Sequence, residues 1–90
     1  MPDVKSWYVY ILLCGDDTLY TGMTDDPERR LSAHNEGKGA KYTRGRGPVS
    51  IVYLEPCSSR SVAMKRECAI KQMTRQQKLL LIKTNGAVRD

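Results

Sequence analysis

The chain begins with two apolar stretches whose rhythm is that of strands. Residues 7–14 are aromatic and aliphatic throughout, and residues 19–23 are short and partly β-branched. Both compositions suit a pleated, half-buried surface. Gly15-Asp16-Asp17-Thr18 between them is turn-forming, so the two stretches are expected to pair as a hairpin. Loop length then decides which side chains meet, because a slip of one residue turns every side chain to the other face. A three-residue loop of Gly15, Asp16 and Asp17 pairs Cys14 with Thr18, sets Tyr10 opposite Gly22, and sets Tyr20 opposite Leu12. Tyr8, Tyr10 and Tyr20 then share one face, with no side chain on Gly22 to cover them. A two-residue loop would part Tyr10 from Tyr20. The odd loop is the expectation, since three-residue hairpin loops containing glycine are common.

The periodicity then changes. Asp25 or Asp26 can cap a helix whose first position suits Pro27, and which ends near residues 35–37. Residues 37–48 are glycine-rich and basic. A third strand over residues 49–55 alternates through Val49, Ile51 and Tyr53 and is expected to end before Pro56. Ser58 or Ser59 caps a second helix reaching about Met73, and Thr74 caps a third over residues 75–83. Asn85-Gly86 is expected to stop it, with residues 88–90 frayed. The order β-β-α-β-α-α describes a small α/β layer of three strands covered by helices.

Length and composition narrow the picture. Ninety residues make one domain with a small core, expected over about residues 6–83. No apolar run is long enough to span a membrane, and residues 1–5 lack the apolar stretch of a signal peptide. The expectation is a cytoplasmic protein with no membrane partner. Cys14, Cys57 and Cys68 have neither zinc-site nor redox-motif spacing, so they are expected to be reduced, with Cys14 and Cys68 as packing residues. The net charge of +5 is unevenly spread: residues 1–36 hold seven acids and three bases, residues 37–90 three acids and twelve bases. A basic C-terminal part points to a polyanion partner, although a solvated charged surface has the same composition.

A few residues carry candidate chemistry. Arg30 and His34 are four apart on the first helix and face the same way. Glu67 shares nearly one face of the second helix with Ala63 and Ile70, beside an apolar stripe of Val62, Ala69, Ile70 and Met73. A carboxylate at that edge needs a partner: a basic side chain such as Lys65, Arg66 or Lys71, or a cation. A single carboxylate leaves most coordination positions to water and substrate, which suits Mg²⁺ serving a phosphate ester. Lys38, Lys41, Arg44 and Arg46 stand among glycines with Tyr42, in a flexible loop able to track phosphates. Each also has a plain structural reading: tyrosines are good strand residues, and arginine or histidine on a helix is ordinarily solvated.

In order, Tyr8-Val9-Tyr10, Tyr20-Thr21-Gly22, Arg30, His34 and Glu67 resemble the GIY-YIG nuclease domain. The likeness strengthens through residues 24–31, 34–43, 63–67 and 70–74, and covers about residues 6–82. It is similar to the small stand-alone bacterial YhbQ-like branch and to the catalytic domain of structure-selective Slx-type nucleases. The resemblance implies three antiparallel strands flanked by helices, and phosphodiester hydrolysis with one divalent ion, Mg²⁺ or Mn²⁺. It implies catalytic roles for Tyr10, Tyr20, Arg30 and His34, metal binding by Glu67, and structural motif positions at Tyr8 and Gly22. Tyr8 stands where the motif has glycine, and Asn85 has no secure counterpart. The expected partner is nucleic acid, DNA first, with a protein partner for targeting. Glu67 would hold the ion, Arg30 would neutralise charge on phosphorus, and either tyrosine would position or deprotonate water. A phenol titrates near 10 and needs cationic neighbours to act as a base. Two other readings stand beside this one: a basic nucleic-acid-binding module without catalysis, and an interaction protein whose tyrosines are structural.

Overall fold

The computed structural model describes residues 6–88. The expected leader and tail features at residues 1–5 and 89–90 lie outside these. Strands β1 (Trp7–Leu13), β2 (Leu19–Thr24) and β3 (Ser50–Cys57) form one antiparallel sheet in the order β2-β1-β3. Helix α1 (Pro27–Asn35) follows the hairpin, and α2 (Arg60–Lys71) and α3 (Arg75–Val88) follow β3. A single 3₁₀ turn, Lys41–Thr43, interrupts the basic loop.

The hairpin adopts the odd loop. Cys14 N–H bonds Thr18 O at 2.9 Å, Tyr10 pairs with Gly22, and Leu12 pairs with Tyr20. The left-handed position is taken by Asp17, at φ 72°, and not by the glycine; short polar side chains tolerate that region. Gly15 serves a different purpose. A Cβ there would lie 2.9 Å from Gly47 C and 3.0 Å from Arg46 O, so its absence lets the basic loop dock on the turn.

The central strand is apolar on both faces because both are covered. Val9 and Ile11 face α2 and α3, packing with Tyr53, Cys57, Ala63 and Ile70. Tyr10, Leu12 and Cys14 face the other way, with Val49, Tyr20 and Leu31 of α1. Asp26 caps α1 through Arg29 N–H, with Pro27 inside the first turn. Ser59 caps α2 through Val62 N–H. Arg66 Nε donates to both oxygens of Glu55 at 2.9 Å, and Tyr53 donates to the same carboxylate, tying α2 to β3.

Five expectations differ from the structure. The alternation of Val49, Ile51 and Tyr53 breaks at a bulge: Ile11 pairs with Tyr53 but Leu12 with Ile51, so Val52 is extra. That bulge turns Tyr53 to the face opposite Ile51. The strand also runs through Pro56 to Cys57, because β3 is an edge strand and an edge tolerates the missing N–H. Helix α2 stops at Lys71, whereas α3 passes the expected Asn85-Gly86 stop and reaches Val88. Cys68, Val62 and Ala69 are exposed on the outer side of α2, and only Ala63 and Ile70 of that helix are buried. Cys14 is a packing residue, and all three cysteines are free.

Adding one methyl at Gly15 meets backbone, which cannot rotate away. Gly15→Ala is expected to lose about 1–3 kcal/mol, read as a lower urea midpoint at unchanged slope.

Candidate active site

The hairpin register delivers the phenols. Tyr10 and Tyr20 come from adjacent strands with ring centroids 6.5 Å apart. Tyr10 is almost fully buried, and its hydroxyl lies over Gly22, where a Cβ would come within 2.5 Å of Oη. Gly22 is thus a clearance for Tyr10. Tyr20 is half-buried and reaches the surface. Tyr8 lies two residues along the same face, pairs with Thr24, and is also half-buried.

Helix α1 brings Arg30 and His34 onto this face. His34 is 2% exposed, and both ring nitrogens are engaged: Nε2 with Tyr10 Oη at 3.0 Å, Nδ1 with Thr43 Oγ1 at 2.8 Å. Its ring also lies 5.5 Å from that of Tyr20. Gly39 makes room for it, since a Cβ there would fall 2.7 Å from His34 Cγ. Arg30 lies near enough to the Tyr10 hydroxyl to act on its charge state. It also lines a cleft of about 260 Å³ with Thr24, Asp25, Asp26, Arg29 and Ala33. Arg30 therefore stands between the phenols and an open cleft.

Glu67 completes the set from α2. This helix packs against β2, an edge strand, on the far face of the sheet. Glu67 nevertheless acts electrostatically on Tyr10, and Lys71 Nζ lies 5.9 Å from the Tyr20 ring centroid. Lys71 thus approaches Tyr20 past the β2 edge, and its partner Glu67 lies within electrostatic range of Tyr10. Glu67 is about one-fifth exposed and pairs with Lys71 at 3.6 Å. The pair is long, its lysine is half-exposed, and i,i+4 pairs of this kind are worth about 0.3–0.5 kcal/mol. It does not lock the carboxylate. Among the described residues no cluster of three or more His, Cys, Asp or Glu could hold a metal. Glu67 is the carboxylate whose charge reaches Tyr10, a hard oxygen donor of the kind that could hold Mg²⁺ or Mn²⁺ alongside water and phosphate oxygens, while Asp25 and Asp26 line the cleft.

The electrostatics assign different states to the two buried groups. Burial pushes the Tyr10 phenol above its ordinary value; Arg30 opposes this, while Tyr20 and Glu67 add to it. Tyr10 is therefore held as the neutral phenol and is not a preformed base. Burial, and then the Arg30 charge, push His34 below its ordinary value, so it is held as neutral imidazole.

The basic loop is more ordered than its glycines suggest. Tyr42 stacks on Tyr20 with centroids 5.7 Å apart and planes at 26°. Arg46 places its guanidinium 4.3 Å from the Tyr42 centroid and pairs with Asp16 of the hairpin turn. Arg46 thus also closes the loop. Lys38 approaches Glu36 at 3.7 Å but stays highly exposed, and Lys41 and Arg44 are exposed. Of the three basic partners the sequence offered Glu67, Lys71 is the one it pairs with. Thr43 was not singled out from the sequence and has no signal there, because its role depends on where the loop folds.

The family model of the GIY-YIG catalytic domain matches residues 6–79. A UPF0213 protein of Clostridium perfringens is 57% identical over 79 residues, covering 88% of this chain and 85% of that one. One from Streptococcus agalactiae is 57% identical over 76 residues, covering 84% and 86%. The solution NMR structure of a UPF0213 protein from Bacillus halodurans is similar at a TM-score of 0.60 and 46% identity, covering 90% of this chain and 86% of that one. A solution NMR structure from E. faecalis is similar at 0.63 and 47%, covering 97% and 93%. Among the described residues no helix is long and apolar enough to cross a membrane.

Two outcomes test this geometry. Gly22→Ala should push Tyr10 off His34 and cost about 1–3 kcal/mol, seen as a lower urea midpoint and shifted His34 ring resonances. The second concerns pH. The folded state binds the His34 proton less readily than the unfolded state, so stability from this residue is full above about pH 6.5 and falls as pH drops toward the depressed folded value. Urea midpoints taken from pH 7.5 to 5 should decline more steeply in the wild type than in His34→Gln. The chain belongs to the GIY-YIG family, a family of nuclease catalytic domains that implies nucleic-acid binding.

Proposed function

We propose that the protein hydrolyses phosphodiester bonds in DNA, using one Mg²⁺ or Mn²⁺ ion. The observation that carries this reading is that β1, β2, α1 and α2 converge on one pair of phenols: Tyr10 and Tyr20 lie 6.5 Å apart, His34 bonds Tyr10 at 3.0 Å, and Lys71, paired with Glu67, approaches the Tyr20 ring centroid to 5.9 Å. The Arg30 and Glu67 charges both fall within range of Tyr10, which a purely structural role for the tyrosines would not need.

The residues divide by exposure. Arg30, which lines the cleft, meets the phosphate and neutralises the charge that builds on it in the transition state. Tyr10 and His34, buried on the same face, give the site its rigid floor. Tyr20 is half-exposed and orients the attacking water, with solvent near enough to take the released proton. Glu67 would hold the cation, and Lys71, its weakly bound partner, gives way to it. When bound, the ion supplies Lewis-acid polarisation of the phosphate oxygens. Lys38, Lys41 and Arg44 follow the phosphate backbone outside the site, with a salt-dependent contribution to affinity. No base-reading element is present in the loop, so recognition rests on shape and backbone. A protein partner for targeting fits so small a surface.

The test is cleavage of labelled single-stranded, nicked and branched DNA, with RNA alongside, in Mg²⁺ or Mn²⁺. Arg30→Ala should lower the rate about 10²–10³-fold, as loss of one transition-state donor does. Glu67→Gln and Tyr20→Phe should also lose cleavage while keeping the wild-type urea midpoint. Full activity in Glu67→Gln would remove the metal assignment. Salt-dependent binding without cleavage on any substrate would leave a binding module.

A further inference from the structure

His34 has two possible neutral tautomers, and the surrounding bonds choose between them. Thr43 Oγ1 carries one proton. It donates that proton to Ala40 O at 2.9 Å, so at the 2.8 Å contact with His34 Nδ1 it can only accept. Nδ1 must then carry the imidazole proton, and Nε2 must present its lone pair.

The other end of the chain gives the same answer independently. The Tyr10 hydroxyl carries one proton that needs an acceptor, and Tyr10 is 2% exposed, so water cannot take it. The acceptor 3.0 Å away is His34 Nε2. The contact that opposes this direction is Ala40 N–H, 3.4 Å from Nδ1, at the far edge of hydrogen bonding.

We infer that Thr43 is a positioning residue: by accepting from His34 Nδ1 it fixes the tautomer that lets Tyr10 donate to Nε2 and turn its lone pair toward Arg30. One unbroken series of donors results, from Tyr10 to His34, His34 to Thr43, and Thr43 to the Ala40 carbonyl, and it leaves a Tyr10 lone pair open to the nearby Arg30 charge. Its last link lies in the 3₁₀ turn of the basic loop, so folding of that loop sets the direction of the Tyr10 hydroxyl. Without the Thr43 acceptor the Nε2–H tautomer prevails, and the Tyr10 proton loses its acceptor. The tautomer assignment stands on these contacts alone; its effect on cleavage rests on the function proposed above.

His34 is the one histidine of the chain, so its ring nitrogens give a single pair of ¹⁵N signals. In the wild type above pH 7.5, a protonated Nδ1 and a lone-pair Nε2 are expected. Thr43→Val, which keeps shape but loses the hydroxyl, should exchange the two signals, and Thr43→Ser should restore the wild-type pattern. A protonated Nε2 in the wild type, or an unchanged pattern in folded Thr43→Val, would overturn the inference. The wild-type spectrum decides even if Thr43→Val does not fold. With an active substrate in hand, Thr43→Val should lower kcat about as much as His34→Gln does, with Thr43→Ser near wild type. The signals can exchange in a protein that cuts nothing, in which case the nuclease reading fails and the tautomer assignment survives.

Discussion

The 3.0 Å hydrogen bond between Tyr10 and His34 joins the central strand to the last turn of α1 across 24 residues of sequence. Both partners are buried, so neither can exchange the bond for one to water. Three other features exist to permit it. The three-residue hairpin loop puts Tyr10 opposite Gly22, Gly22 leaves room for the hydroxyl, and Gly39 leaves room for the imidazole. Breaking any one of them leaves a buried polar group unmet, a cost of about 1–3 kcal/mol in a domain with a small core. The site and the fold therefore share their central contact, which is why Tyr10→Phe would be a poor probe of chemistry and Tyr20→Phe a better one.

Charge in this chain is used twice. The acid-rich hairpin and the basic second part are joined by Asp16 to Arg46, and the turn and the loop also share the Gly15 N–H to Arg46 O bond. That closure sets Tyr42 flat against Tyr20 and brings Thr43 under His34. Arg46, expected from the sequence as a phosphate contact, also fastens the loop to the hairpin turn, so its removal would loosen the loop as well. The loop's remaining exposed cations, Lys38, Lys41 and Arg44, contribute to the long-range field that draws a polyanion inward.

Much of this was legible in the sequence where local rules act alone. Asp26-Pro27 and Ser59 announce their helices, and loop length announced the register that pairs Tyr10 with Gly22. Local rules fell short where tertiary position decides. Pro56 reads as a strand end until β3 is known to be an edge, and Val52 reads as part of an alternation until the bulge opposite Ile11 and Leu12 is seen. Cys68 and Ala69 look apolar, yet α2 buries only a narrow line through Ala63 and Ile70. Of the site, the residue types were readable and their layering was not. Nothing in the spacing of His34 and Thr43 tells that one would sit under the other.

That layering bears on how so small a domain can hold a reactive centre. The inner layer, Tyr10, His34 and Thr43, is dry, and hydrogen bonds there are strong because water does not screen them. The outer layer, Tyr20, Arg30 and Glu67, is half-exposed, where charges are cheaper to keep and substrate can reach them. Arg30 touches both, its charge acting inward on Tyr10 and its side chain lining the cleft. A guanidinium surrounded only by solvent would wander over several rotamers, and an oriented, buried phenol beside it narrows that range. On the function proposed, the inner layer contributes no reacting atom and instead turns the rigidity of a buried core into the aim of one half-buried cation.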